Sequence, residues 1–229
     1  MRQQLLPQDH QRLQSLVVIV FTNGPATDLL RFDMNIHNLF PLPVAFFNRP
    51  VADEELVFVK DLARRPNTGN TTSTNNFVLE SMTPLRSWIE DCVSDYFKAT
   101  TAPKHNVNLK ITQSWVNFND PGQYHHKHAH PNSFVSGVYY LQTNPDDRIY
   151  FYKDQYQQIK FPTDDWNAYN SESWWFEAEA GKLILFPSSL THMVPTVQGD
   201  VTRISLSFNT FPVGIVGEEM DLTGLKLEA

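Results

Sequence analysis

The hydrophobic pattern alternates with a period of two residues over most of residues 108–211. Successive side chains of a β-strand point to opposite faces of a sheet, so this period predicts strands rather than helices. Turn-forming Pro, Gly, Asn and Asp residues separate the alternating segments. The predicted strands are residues 109–118, 124–130, 134–142, 148–153, 174–179, 182–186, 192–197 and 203–210. Many short strands with turns between them predict a β-sandwich or a barrel closed on itself.

Two helical patterns precede this span, the first in residues 53–65, where acidic side chains open a segment with apolar residues at helical spacing. A second helix is predicted from Thr83, a good N-cap, with Pro84 in its first turn. Its apolar stripe consists of Leu85, Trp88, Ile89, Cys92, Val93 and Tyr96. We expect this stripe to lie on a sheet. The polar residues 66–76 between the helices are predicted to be a loop, and residues 44–47 a strand.

The length of 229 residues fits one main domain. Residues 1–33, Gln-rich and then mixed, differ from the rest and are predicted to be a weakly ordered N-terminal extension. We expect the compact domain in residues 34–212 and a C-terminal tail in residues 213–229. The apolar run in residues 15–21 is far shorter than the roughly 20 residues that a membrane span needs. We therefore expect no membrane partner.

The charge and the cysteine content narrow the function classes. The formal net charge is −7, and the longest basic cluster is the pair Arg64 and Arg65. An acidic chain of this kind is poorly suited to a phosphate backbone, so no nucleic-acid partner is expected. Cys92 is the single cysteine, which excludes an internal disulfide and a cysteine-based zinc site. This cysteine usage is typical of the reducing cytoplasm, where we expect the protein to be located.

Four of the eight histidines lie within the six residues HHKHAH. On an extended strand His126, His128 and His130 would share one face. Two such histidines and a third from a distant strand form a three-sided ligand set that leaves metal positions open, as non-haem Fe(II) oxygenases require. His192, which follows an apolar segment and a Pro-Ser-Ser turn, supplies the distant ligand. The near pair is His126 with His128 or His128 with His130; a Pro-Asn turn after His130 favours the second.

Arg203 opens a strand whose two faces differ in polarity. One face carries Arg203, Ser205, Ser207 and Asn209, and the other carries Ile204, Leu206 and Phe208. In a barrel with helices outside, the apolar face can meet the helices while the polar face lines the interior. An interior guanidinium can bind a carboxylate through two hydrogen bonds, with the Ser205 hydroxyl as a further donor.

Each of these features has a simpler explanation when it is taken alone. A histidine cluster can be a solvated surface strand, and a polar strand face is usually the wet side of a sheet. A lone histidine such as His192 is more often hydrogen-bonded within the structure than bound to a metal. The combination of these features, in this order along the chain, favours a metal site with a bound carboxylate.

Three segments together resemble the 2-oxoglutarate/Fe(II)-dependent oxygenase superfamily: HAHPNSFVSGVYYL, GKLILFPSSLTHMVP and RISLSFN. Within it they are similar to a prolyl-hydroxylase-like group of oxygenases from bacteria and marine phages, over residues 35–211. The resemblance implies a mainly β fold with flanking helices, a double-stranded β-helix (jelly-roll, cupin-like) barrel. It also implies the use of Fe(II), 2-oxoglutarate and O2. The expected reaction releases succinate and CO2 and hydroxylates an unactivated C–H bond.

The resemblance also implies roles for individual residues. His128 would be the first iron ligand and His192 the distal one, and both are the expected catalytic residues. Arg203 would bind the far carboxylate of 2-oxoglutarate. The residues implied in binding this co-substrate are Arg203, Ser205, Tyr140 and, as a weaker match, Asn117.

The chain departs from the family at His130, where most members carry Asp or Glu two residues after the first histidine. The expected metal set is therefore His128, His130 and His192, although His130 could also lie beside the metal or contact the substrate. The substrate is expected to be a peptidyl side chain or a small molecule. The alternatives are a cupin-like metal-dependent isomerase or dioxygenase that does not use 2-oxoglutarate, and a non-catalytic jelly-roll binding module.

Overall fold

The computed structural model describes residues 35–154, 159 and 161–228. The predicted N-terminal extension, residues 1–33, lies outside them. The helices are α1 Asp53–Lys60, a short 3-10 helix Val78–Ser81 and α2 Thr83–Thr101. The strands are β1 Ala45–Asn48, β2 Arg64–Asn67, β3 Asn70–Ser73, β4 Val107–Asn119, β5 His125–His128, β6 Val135–Gln142, β7 Arg148–Tyr152, β8 Ser173–Glu177, β9 Lys182–Pro187, β10 His192–Val194, β11 Arg203–Val216 and β12 Leu225–Leu227. These elements belong to a compact unit that begins at Phe40.

The strands form two sheets of antiparallel neighbours. The larger sheet has the order β1-β9-β6-β11-β4-β3-β2, with β12 paired to the far part of β11. The smaller sheet has the order β5-β10-β7-β8. The prediction of a mainly β fold with flanking helices is confirmed. The strand pattern predicts a β-sandwich or a closed barrel; over the described residues neither sheet closes on itself, so the closed barrel is not formed.

Helix α2 covers one face of the larger sheet, as its apolar stripe predicts. The buried members of the stripe share a core cluster with Tyr139 on β6 and with Leu206 and Phe208 on β11. Burying each large apolar side chain contributes roughly 1.5–3 kcal/mol, so this interface is a main source of stability. The helix begins at Thr83 itself, with Met82 as its N-cap. No helix among the described residues is long and apolar enough to cross a membrane.

A second apolar cluster joins the opposite face of the larger sheet to the smaller sheet. Val138 and Tyr140 on β6 pack there with Ile149 and Phe151 on β7. Strand alternation explains how neighbours on β6 serve both clusters, because Tyr139 points to α2 and Tyr140 points between the sheets. The polar side of β11 faces this same inter-sheet space.

The structure corrects three local predictions. Residues 66–76, predicted to be a loop, contain most of a β-hairpin formed by β2 and β3, and α1 ends at Lys60 instead of reaching residue 65. Gly69 adopts a φ of +84° in the hairpin turn, where the absence of a side chain avoids strain. The hairpin forms because β3 pairs with β4. This long-range contact cannot be predicted from the polar composition of the segment. Strand β11 also continues beyond residue 210 to Val216, since its far end pairs with β12.

Candidate metal centre and co-substrate pocket

The smaller sheet brings distant histidines together. Strand β5 ends at His128, strand β10 begins at His192, and the two residues are direct cross-strand partners. His130 lies just beyond β5, where its backbone N–H donates to the Ser188 carbonyl at 2.9 Å. Asn132, with a φ of +55°, then turns the chain towards β6. The ring centroids of the three histidines lie 4.4–5.1 Å apart.

Hydrogen bonds fix which ring nitrogens are free. The Nδ1 atom of His128 lies 2.7 Å from the His126 carbonyl oxygen, and that of His192 lies 3.0 Å from the carbonyl oxygen of Leu190. A carbonyl oxygen can only accept, so both Nδ1 atoms are N–H donors and both Nε2 atoms are free to bind a metal. The Nε2 atoms of His130 and His192 lie 3.3 Å apart. Two nitrogens that are each about 2.1 Å from one metal lie roughly 3.0–3.4 Å apart, so this pair is close to a coordinating arrangement.

The three histidines are held in the neutral form that a metal ligand needs. Burial lowers the pKa of His192 to about 3 and that of His130 to about 4. Burial also lowers the pKa of His128, although the hydrogen bond to the His126 carbonyl opposes this shift. One potential ligand nitrogen from each ring can be chosen so that all three lie within 4.8 Å of one another. The set can therefore offer three neutral imidazoles to one cation.

These lowered pKa values predict an acid-sensitive fold in the metal-free protein. Between pH 6.5 and pH 4 the unfolded chain binds protons at its histidines while His192 in the folded chain does not, so stability falls as the pH falls. At pH 5 the loss from His192 alone is about 2 kcal/mol relative to pH 7. The free energy of unfolding, measured with urea in the presence of a chelator at pH 7 and at pH 5, gives this loss. His192→Gln should reduce the difference by about this amount; an unchanged difference would contradict the prediction.

Three neighbouring strands of the larger sheet build the opposite wall of the site. Arg203 on β11 is the cross-strand partner of Asn119 on β4. Ser205 lies between Asn117 on β4 and Tyr140 on β6 in the same register. All five side chains are buried. The polar face that the strand pattern predicts therefore lines the interior, as expected.

Arg203 is the most unusual residue of this wall. It is only 1% exposed, and its Nη1 donates to the Arg148 carbonyl at 2.9 Å while its Nε has no hydrogen-bond partner among the described residues. No Asp or Glu is among the described residues that line the pocket. A buried guanidinium without a carboxylate is costly, by several kcal/mol. An anionic ligand bound here would offset that cost.

Tyr140 provides a second unmet donor beside Arg203. Its hydroxyl is buried without a hydrogen-bond partner among the described residues, and the guanidinium carbon of Arg203 lies 5.1 Å from the centre of its ring. Burial raises the pKa of Tyr140 to about 12, although the positive charge of Arg203 opposes the shift. The hydroxyl therefore keeps its proton and can donate to an anion.

The seven residues predicted from the sequence all line one pocket between the two sheets. They are Asn117, His128, His130, Tyr140, His192, Arg203 and Ser205. The expectation that residues 126–130 form one continuous strand face does not hold, because β5 ends at His128. The ligand atoms of His128, His130 and His192 converge, whereas His126 groups with His125 instead.

Sequence reasoning missed Asn119, which is 1% exposed and lines the same pocket. Its Oδ1 accepts a hydrogen bond from Asn70 Nδ2 at 3.3 Å, which leaves its own Nδ2 without an acceptor. The signal was present in the segment WVNFN, since Asn117 and Asn119 are two residues apart and share a strand face. His125 is a further residue of the pocket that the sequence did not single out.

A protein-family model described as "Putative 2OG-Fe(II) oxygenase" matches residues 113–209. This segment runs from β4 to β11 and contains all seven predicted site residues. No curated protein gives a significant sequence match to the chain.

Solved structures show the same fold. An oxidoreductase of the 2OG-Fe(II) oxygenase family from Burkholderia pseudomallei has a TM-score of 0.52 at 13% identity, covering 73% of this chain and 83% of its own. HygX from Streptomyces hygroscopicus, solved with nickel, 2-oxoglutarate and hygromycin B bound, has a TM-score of 0.53 at 11% identity, covering 82% and 92%. At these identities the likeness concerns the fold, which is the jelly roll implied by the sequence.

The family match rests on sequence, and the fold likeness rests on the arrangement of the two sheets. The family match indicates an oxygenase that uses Fe(II) and 2-oxoglutarate, whereas the likeness to the solved structures concerns the fold alone. Residues 113–209 are thus similar in sequence to a family described as 2OG-Fe(II) oxygenases.

Proposed function

We propose that this domain hydroxylates an unactivated C–H bond of a peptidyl or small-molecule substrate. His128, His130 and His192 hold Fe(II), and Arg203 binds the far carboxylate of 2-oxoglutarate. The reaction consumes one O2 for each 2-oxoglutarate, with one oxygen atom in the product hydroxyl and the other in succinate, and it releases CO2. The observation that carries the proposal is the buried Arg203, which shares a pocket with three neutral histidines and with no Asp or Glu among the described lining residues.

The donor set fits the metal of this family. Imidazole nitrogens suit Fe(II) as well as Zn(II), Ni(II) and Cu(II), whereas Mg(II) and Ca(II) prefer oxygen ligands. The carbonyls of His126 and Leu190 orient the rings of His128 and His192, which is the usual support for a metal-bound histidine. Three neutral ligands leave the full positive charge of the metal in place, and the dianionic co-substrate would reduce it.

The opposite wall fits 2-oxoglutarate. Arg203 supplies the charge, the Tyr140 hydroxyl supplies a donor, and Ser205 lies directly beside Tyr140 in the sheet register. The free Nδ2 of Asn119 adds a further donor next to Arg203. A carboxylate has about four acceptor positions, so several of these donors can bind it at once.

The chain itself orders and shields the reactants. Fe(II), when bound with 2-oxoglutarate and O2, supplies the oxidising chemistry that releases succinate and CO2. The apolar residues Val138, Ile149 and Phe186 line the same pocket and exclude water from it. The buried polar residues hold the co-substrate in one orientation, so that its reacting end faces the histidines.

The substrate class follows from the family resemblance and from the surroundings of the pocket. The prolyl-hydroxylase-like features of the sequence point to a peptidyl side chain. On β8, beside the pocket-lining strand β7, Trp174 is 42% exposed and offers a flat apolar surface, whereas the Trp175 ring is covered on one face by the guanidinium of Arg148 at 3.9 Å. A surface such as that of Trp174 suits either a peptide or a small molecule with an apolar body.

The proposal is tested by following 2-oxoglutarate by NMR with Fe(II) and O2. We expect succinate to form with Fe(II) and not when Zn(II) replaces it, because Zn(II) has no redox chemistry. Calorimetry under anaerobic conditions should show 2-oxoglutarate binding to the Fe(II)-loaded protein. Metal binding without 2-oxoglutarate binding would favour a cupin-like enzyme of another class. A melting temperature that neither metal nor chelator changes would favour a non-catalytic binding module.

A further inference from the structure

A second group of histidines lies beside the first. One potential ligand nitrogen from each of His125, His126 and His128 can be chosen so that all three lie within 4.8 Å of one another. The ring centroids of these residues are 4.5–5.1 Å apart, and all three side chains are partly exposed. This spacing matches that of the set formed by His128, His130 and His192.

We propose that His125, His126 and His128 form a second binding site for a divalent metal, which competes with the first set for His128. The existence of the site does not depend on the proposed function. The competition does rest on it, because it requires that His128 binds the catalytic metal.

His126 provides an observation independent of the spacing. Its Nδ1 is buried and has no hydrogen-bond partner among the described residues. A buried polar atom without a partner costs about 1–3 kcal/mol, and coordination of a metal would remove that cost. Lys127, between the ligands in sequence, places its ammonium 4.1 Å from the centre of the Tyr152 ring. The positive charge of Lys127 is therefore stabilised by the aromatic face of Tyr152.

The two sets exclude each other because His128 has a single free nitrogen. Its Nδ1 donates to the His126 carbonyl, so only Nε2 can bind a metal, and it can serve one set at a time. The chain should therefore bind one metal through three histidines, in either of two positions. The first position includes the buried His192, which is 6% exposed, whereas the second uses partly exposed residues and is open to metal from solution.

Ligand chemistry identifies the cations that would bind. A set of imidazoles with no carboxylate selects Zn(II), Co(II), Ni(II) or Cu(II) and discriminates against Mg(II) and Ca(II). A metal in the second position withdraws His128 and leaves only His130 and His192 in the first. Zn(II) bound in the second position would therefore prevent His128 from completing the set of His128, His130 and His192.

The test separates the two sites by substitution and uses Co(II) absorption and Zn(II) competition with a chromophoric chelator. His192→Ala removes the first site only, His126→Ala removes the second only, and the double variant removes both. We expect one metal per chain in wild type and in each single variant. The double variant should bind Zn(II) at least about 100-fold more weakly than His192→Ala. His126→Gln is the reserve variant if the alanine variant does not fold.

Each result has a definite meaning. Equal Zn(II) affinity in His192→Ala and in the double variant would overturn the second site. Two metals bound at once by the wild-type protein would overturn the competition for His128. 2-Oxoglutarate should tighten metal binding in His126→Ala and not in His192→Ala. If 2-oxoglutarate does not tighten metal binding in His126→Ala, that result would count against the proposed function. It would leave the proposal of the second site unaffected.

Discussion

His192→Ala is expected to lower kcat/KM for 2-oxoglutarate turnover by about 1000-fold or more, because it removes one of the three proposed ligands of the catalytic metal. His192 is the only member of the first set that comes from β10, and it is also the most buried. Succinate formation measures the loss. Calorimetry should show that 2-oxoglutarate binding is lost together with turnover.

The matched control for this variant is His105→Ala. His105 lies outside the pocket, where its Nε2 is 3.1 Å from a carboxylate oxygen of Glu218. Its replacement should leave turnover within about twofold of wild type. If His192→Ala keeps its fold by circular dichroism and retains more than a tenth of wild-type turnover, then His192 is not a ligand of the catalytic metal.

Arg203→Met is expected to weaken 2-oxoglutarate binding by roughly 100-fold or more, since hydrogen bonds to a charged group contribute about 1.5–3 kcal/mol each. The variant replaces a buried cation by an apolar side chain of similar length and leaves the histidines unchanged. Metal affinity in the absence of 2-oxoglutarate should therefore stay near that of wild type. Anaerobic calorimetry on Fe(II)-loaded protein measures both quantities.

Two further variants define what Arg203 contributes. Arg203→Lys keeps the charge without the planar pair of donors, so we expect affinity between those of wild type and Arg203→Met. Arg86→Met removes a surface arginine of α2 that pairs with Glu90, and it should not change 2-oxoglutarate binding. An affinity of folded Arg203→Met within twofold of wild type would show that another group binds the carboxylate.

The parts of the site that the sequence predicts are those that depend on local pattern. The alternation of β11 separates Arg203 and Ser205 from Leu206 and Phe208, and the structure places these groups on opposite faces of the sheet. The stripe of α2 is equally local, because residues three and four apart on a helix share a face. In both elements the spacing along the chain specifies which side is buried.

The parts that the sequence did not predict depend on contacts between distant segments. The hairpin of β2 and β3 has a polar composition typical of loops, and its pairing with β4 involves residues more than 40 positions away. The pattern of WVNFN places Asn119 on the same strand face as Asn117, but only the pairing of β4 with β11 places it beside Arg203. The open sheets likewise follow from which edge strands pair, and strand count alone does not specify that.

The histidine-rich segment separates the two kinds of information. Its sequence alone establishes a concentration of potential ligands, followed by a distant histidine and an arginine on a polar strand face. Only the tertiary structure arranges the potential ligands in two groups that share His128, because β5 ends there and β10 places His192 opposite it. Local spacing specifies the face of a strand, whereas convergence on one metal requires strands that long-range pairing brings together.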